Sequence, residues 1–156
     1  MDTPAAAHQA RIRLASGADW PDIEALLARL ELPREGVLAH LGRFRLAVHG
    51  GTVVACAATE EYGAVALLRS VAVLPAFARL GLGRRLVDEV LLAARQRGLV
   101  DAYLLTTGAA GYFARFGFAA VSRKGAPAAL LASAEFRGAC PASAQLMHLQ
   151  LAAPAH

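Results

Sequence analysis

A strand-like run, Ser70-Val71-Ala72-Val73, stops at Leu74-Pro75. A few residues later, Gly81-Leu82-Gly83 opens a long apolar-periodic stretch. Glycine at a helix start lets the backbone turn sharply and leaves no side chain over the amides. The first amides of a helix lack intrahelical acceptors, and the helix dipole adds partial positive charge there. The chemistry this favours is the holding of an anion such as a pyrophosphate. Arg79, Arg84 and Arg85 add positive charge around the same turn. Tight packing alone can also place two glycines at a helix start, so the signal rests on the strand, proline and helix that frame them.

A second chemistry lies just upstream. On a strand over Val65–Val73, a period of two puts Leu67, Arg69, Val71 and Val73 on one face and Ser70 on the other. A buried arginine needs an anionic partner, and its planar fork suits a carboxylate. Two partners are open for Arg69: the oxyanion of a bound molecule, or an internal salt bridge to Glu60 or Glu135. No pair among His40, His49 and His148 has metal-site spacing. Cys56 and Cys140 have neither that spacing nor a disulfide pattern, so no metal is expected.

Regular elements must position these groups. Arg11–Leu14 alternates and predicts a first strand. Asp19 can cap a helix with Pro21 in its first turn and Ile23, Leu26, Leu27 and Leu30 on its apolar face. Gly36–Leu41 predicts a second, short helix. Phe44–His49 and Thr52–Thr59 form a hairpin about Gly50-Gly51. Val65–Val73 follows as a strand, and Leu82 to Gln96 as the longest helix, ended by Gly98. Asp101–Thr107, Phe118–Ser122 and Gln145–Leu151 read as strands, with a short helix over Ala109–Phe116. The order β-α-α-β-β-β-α-β-α-β-β implies an α/β (α+β) fold: a mixed sheet with an antiparallel half and a parallel step, covered by helices.

Length and composition set the outer bounds. A chain of 156 residues suits one domain with a real core. Residues 1–10 read as a disordered lead-in, and 11–152 as a single domain. No run reaches the roughly 18 apolar residues of a membrane helix, and the N-terminus has no secretory pattern. The net charge of +4 is carried by scattered arginines, not by a basic run interleaved with aromatics. Neither nucleic acid nor membrane is therefore expected as a partner. Two isolated cysteines fit a reducing, cytoplasmic setting.

Val73-Leu74-Pro75 followed by Gly81-Leu82-Gly83 at a helix start resembles the GNAT (GCN5-related N-acetyltransferase) superfamily, as does the element order from about Arg11 to Leu151. The resemblance implies a mostly antiparallel sheet of six to seven strands with about four helices. It also implies acetyl-CoA as cosubstrate. The amides of Arg79, Leu80, Gly81, Leu82, Gly83 and Arg84 would hold the pyrophosphate, and the backbone of Val71, Ala72 and Val73 would pair with the pantetheine arm. A small-molecule amine is the implied acceptor, and a homodimer is open. Three positions depart from the family pattern: Ala78 stands where an Arg or Gln is usual, Leu67 where an acidic base is usual, and Phe113 where a tyrosine is usual. Leu68–Val73 and the stretch from Ala126 to Ala144 resemble, more finely, the small GNATs associated with arsenic resistance and the amino-acid N-acetyltransferases.

Acetyl transfer requires a neutral amine, donors for the tetrahedral oxyanion, and a route for the leaving thiolate. A backbone N–H between Val71 and Val73 is the expected donor. Glu60 and Glu61 are the candidates to polarise a water, and Tyr112 is the candidate to protonate the thiolate. Each also has a plain structural reading, as solvated charges beside a turn or as a packed aromatic. Arg69 would hold the carboxylate of an amino-acid-like acceptor. The stretch around Cys140 is expected to cover the acceptor pocket, with that cysteine packed there as a small hydrophobe. A GNAT-fold sensor that binds coenzyme A without chemistry is the rival reading.

Overall fold

The computed structural model describes residues 10–151. The lead-in expected over residues 1–10 falls outside the described residues, except for Ala10, which is buried in the core. A seven-stranded sheet runs through the molecule in the order β1-β2-β3-β4-β5-β7-β6. Its strands are β1 (Arg11–Leu14), β2 (Phe44–His49), β3 (Thr52–Tyr62), β4 (Val65–Val73), β5 (Asp101–Thr106), β6 (Ala119–Val121) and β7 (Gln145–Gln150). The β4–β5 step is parallel and every other pairing is antiparallel. The expected mixed sheet is therefore present, and the last strand inserts between β5 and β6.

Three α-helices cover the sheet among the described residues: α1 (Trp20–Arg29), α2 (Leu82–Gln96) and α3 (Ala110–Ala114). Pro21 sits in the first turn of α1, where its missing N–H is harmless. Ile23, Leu26 and Leu27 of α1 are buried against Phe44, Leu46, Cys56 and Ala72 on one face of the sheet. On the other face, Leu86, Val87, Val90, Leu91 and Ala94 of α2 pack on Val54, Ala66, Leu68 and Leu104. Each buried leucine, isoleucine, valine or phenylalanine among these contributes about 1.5–3 kcal/mol. The short helix expected over Gly36–Leu41 is instead a 3₁₀ segment, Leu38–Arg43, and β3 runs three residues past its expected end at Thr59, to Tyr62. No helix among the described residues is long and apolar enough to cross a membrane.

Two departures from regular pairing shape the site. Parallel pairing of β4 with β5 stops after Val65↔Asp101, Ala66↔Ala102 and Leu67↔Tyr103. Beyond Leu67 the two strands part. In the β3–β4 ladder, Cys56 pairs with Ala72 and Ala58 with Arg69, so Ser70 and Val71 together oppose Ala57. This is a β-bulge, and Ser70 within it has a φ of 56°.

Candidate active site

Where β4 and β5 part, a cavity of about 1160 Å³ opens, lined by Leu68–Val71 and Val73 on one side and by Leu104–Thr107 on the other. It continues past Arg79, Gly81, Gly83 and Arg84 to Tyr112 in one direction, and to Arg34, Glu135 and Cys140 in the other.

At the first end, Gly81 is the N-cap of α2, with a φ of 86° that L side chains rarely adopt. No side chain caps the helix, and its first intrahelical bond is Arg85 N–H to the Gly81 carbonyl at 3.0 Å. The amides of Leu82, Gly83 and Arg84 therefore lack intrahelical acceptors. Arg79 is also left-handed, with a φ of 65°. A non-glycine residue in that region is strained, and such strain concentrates at ligand sites. Of the residues expected here, Val71, Val73, Arg79, Gly81, Gly83 and Arg84 line the cavity. Ala72 and Leu82 turn their side chains into the core, and neither they nor Leu80 line the cavity.

The bulge overturns the expected grouping of β4 side chains. Its extra residue resets the alternation, so Val71 and Val73 join Leu68 on the α2 face, while Arg69 faces the loop after α1. Ser70 does not point away from Arg69 either: its hydroxyl accepts from Arg69 Nε at 3.0 Å. Its carbonyl accepts from the Cys56 thiol at 3.1 Å, so the strained residue is held from two sides.

Arg69 is nearly spent on the protein itself. Nη1 donates to Glu60 Oε2 at 2.6 Å and to the Glu35 carbonyl at 2.7 Å, and Nη2 donates to the Pro33 carbonyl at 3.1 Å. With the Ser70 bond, these use all but one of its N–H groups. The internal salt bridge is therefore the arrangement observed, and the guanidinium ties the α1 loop to β4. Glu60 is correspondingly occupied: it is buried, accepts from the Tyr62 hydroxyl on Oε1, and has His40 Nε2 at 3.4 Å. Glu61 turns elsewhere, pairing with Arg97 and lying 3.4 Å from Arg43. Neither glutamate lines the cavity. The expectation that they polarise water there fails because both carboxylates are committed to other partners.

Tyr112 lines the cavity, with its hydroxyl close against Gly83. Burial pushes its phenol above the usual value of 10, so it keeps its proton at neutral pH. Phe113 points into the core beside it.

Glu135, weighed from the sequence only as an internal partner for Arg69, stands at the opposite end of the cavity. It opens a π-helical turn, Glu135–Ala139, and is 4% exposed. Burial raises its carboxyl from 4.5 to about 7, against the pull of Arg69. Its closest approach to Arg69 is 3.7 Å at Nε, an ion pair without a hydrogen bond. The Cys140 amide donates to the Glu135 carbonyl at 3.2 Å, and its half-buried thiol is pushed up to about 12 by burial and by Glu135. Cys56, fully buried, is also pushed to about 12. Neither thiol is a nucleophile at neutral pH. The signal for Glu135 was legible as a lone acid in an apolar stretch running from Ala126.

A family profile described as the acetyltransferase (GNAT) family matches residues 10–118. The chain belongs to the GNAT acetyltransferase family. Among GNAT relatives, an uncharacterised N-acetyltransferase of Chlorobaculum tepidum is 31% identical over 58% of this chain and 58% of its own length. The amino-acid acetyltransferase of Neisseria meningitidis is 32% identical over 74% of this chain. The match spans only 29% of that protein's length. The N-acetylglutamate synthase of Neisseria gonorrhoeae, solved with coenzyme A and N-acetyl-glutamate, superposes with a TM-score of 0.79 at 25% identity. That superposition covers 92% of this chain and 35% of the synthase.

Proposed function

We propose that the chain is an acetyl-CoA-dependent N-acetyltransferase that acylates the amine of an amino acid or an amino-acid-like oxyanion. The observation that carries this reading is one continuous cavity joining the uncapped amides of α2 to a buried, protonatable carboxyl between two parted strands. The site fits coenzyme A: the amides of Leu82 to Arg84, with Arg79 and Arg84, suit a diphosphate, and the gap beside Val71 and Val73 suits an extended arm. When bound, acetyl-CoA supplies an activated acyl group. The protein's part is to orient the acceptor, to donate to the developing oxyanion from the bulged backbone of β4, and to leave Tyr112 protonated beside the cavity. Since Arg69 is committed internally, the exposed Arg34 on the cavity wall is the cation left for an acceptor carboxylate at that end. The amino-acid acetyltransferase relatives support that acceptor class. The two free cysteines support a cytoplasmic setting.

A second reading, a coenzyme-binding sensor without chemistry, is favoured by Leu67, fully buried and unable to carry a proton, and by Phe113. Thiol release from acetyl-CoA across a panel of the common amino acids decides between them. Release that depends on one or a few amino acids is expected. Calorimetric binding of coenzyme A with no acceptor-dependent release would establish the sensor instead.

A further inference from the structure

Two carboxylates, Glu60 and Glu135, are buried around one guanidinium, that of Arg69. The pairing is unequal. Glu60 takes a 2.6 Å bond from Nη1 and a second bond from Tyr62. Glu135 receives neither, and its nearest approach to Arg69 is 3.7 Å. One positive charge so shared cannot satisfy two desolvated anions. The under-compensated one is Glu135, and it is the one that lines the cavity. A buried carboxyl in that position gains by accepting a proton or by meeting a cation that arrives through the cavity, and the ammonium group of an amine is such a cation.

We propose that Glu135 is the general base of the reaction, taking the place of the acid that Leu67 cannot supply. The proposal rests on the acetyltransferase reading. The acceptor enters as an ammonium, and its proton passes to the Glu135 carboxylate directly or through one water. The freed amine forms a C–N bond to the thioester carbon, and the C–S bond breaks. As the thiolate leaves, the nitrogen gives up its second proton to solvent to become the amide; the thiolate takes up a proton from solvent or from Tyr112, which solvent reprotonates, and Glu135 returns its proton to solvent. The groups facing Glu135 tune it in opposite senses: Arg69 on β4 favours the carboxylate, while Glu60 on β3 and Glu35 in the α1 loop oppose it. The nearby Cys140 thiol, on its own segment, favours the carboxylate. Its carboxyl rises to about 7, the range in which a base is both available and strong enough at neutral pH.

The test compares wild type, Glu135→Gln and Glu135→Asp in acetyl-CoA thiol release. L-glutamate is the acceptor, replaced by the fastest amino acid of the panel if another outruns it. In wild type, kcat/KM is expected to fall below pH about 7 as Glu135 takes up its proton. Glu135→Gln is expected to lower kcat by about 10²- to 10⁴-fold and to lose that limb, leaving only the titration of the acceptor's own amine. Glu135→Asp should recover part of the rate and restore a limb. An independent readout is urea unfolding: Glu135→Gln should raise the midpoint at pH 8 and barely move it at pH 5, because only at pH 8 does wild type bury the charge. Coenzyme A affinity unchanged by calorimetry shows that the site is still folded. An unaltered pH profile in Glu135→Gln, or a raised acceptor KM with kcat intact, overturns the base. If wild type releases no thiol with any amino acid, the acetyltransferase reading itself fails, and the base falls with it.

Discussion

Replacing Arg69 separates a structural cation from a substrate clamp. Arg69→Met keeps length and apolar bulk but removes the guanidinium from between Glu60 and Glu135, whose side chains are 1% and 5% exposed. Taking one partner from a buried ion pair costs about 3–5 kcal/mol, mostly because the other charge is left in the core. Typical domains hold only about 5–15 kcal/mol in total, so the variant should fold but with a thin margin. The pH dependence follows from Glu135. Its folded pKa of about 7 lies above its ordinary 4.5, so the folded state holds the proton more tightly than the unfolded chain. That contribution is present in full below 4.5 and is lost as pH rises through 7. Between pH 5 and 8 the wild type loses roughly 3 kcal/mol in this way, at about 1.4 kcal/mol per unit. Without Arg69, which pulls the value down, the carboxyl titrates higher and the loss continues to pH 8, reaching roughly 4 kcal/mol on the same scale. Urea unfolding should therefore find Arg69→Met more destabilised at pH 8 than at pH 5, by about 1–2 kcal/mol. Adding Glu60→Gln should return part of the loss. A variant as stable as wild type with a raised acceptor KM, or a penalty independent of pH, would refute the internal role and restore the substrate clamp.

Two further outcomes are expected. A Cβ added at Gly83 would lie 2.7 Å from the Tyr112 hydroxyl and 3.3 Å from Val73 Cγ2. Gly83→Ala should thus displace the phenol and screen the helix amides, weakening coenzyme A about tenfold or more by calorimetry, while unfolding free energy stays within about 1 kcal/mol of wild type. At the other side of the sheet, Asp19 accepts 2.8 Å bonds from both Arg13 Nη atoms and from the Ser16 amide, which hold its carboxyl well below the usual 3.8. A depressed carboxyl stabilises above its unfolded value and loses that contribution as pH falls. Asp19→Asn should cost about 1–2 kcal/mol at pH 7 and flatten the acid limb of stability below pH about 4, as read by denaturant titration.

The elements that position the site were legible because their signals are local. The 3.6-residue apolar rhythm of Leu82 to Gln96, the Gly50-Gly51 turn and the alternation of Arg11–Leu14 each reach the structure close to their expected bounds. The uncapped helix start at Gly81 was legible for the same reason. The bulge at Ser70 was not, because strict alternation assumes one residue per pleat, and a single extra residue exchanges the faces of all that follow. That one shift accounts for the misplacement of Val71 and Val73 relative to Arg69. The partners of Arg69 were only half legible. Glu60 and Glu135 could be named as anions, but their unequal shares depend on how β3 and the turn after Ala134 meet in space. Glu61 was drawn away by Arg97, from the end of α2, a contact that no spacing in the sequence announces.

The insertion of β7 between β5 and β6 makes the sheet's closure depend on the chain's late residues. Until Gln145–Gln150 is in place, β5 offers an open flank opposite β4, and Ala119–Val121 has no strand to lie against. A nascent chain or a clipped fragment that stops short of Gln145 would therefore expose two unprotected edges at once, the situation in which strands recruit foreign partners. The same segment closes the wall behind Leu104 and Leu105, so that a cleft of fixed width exists only after it has docked.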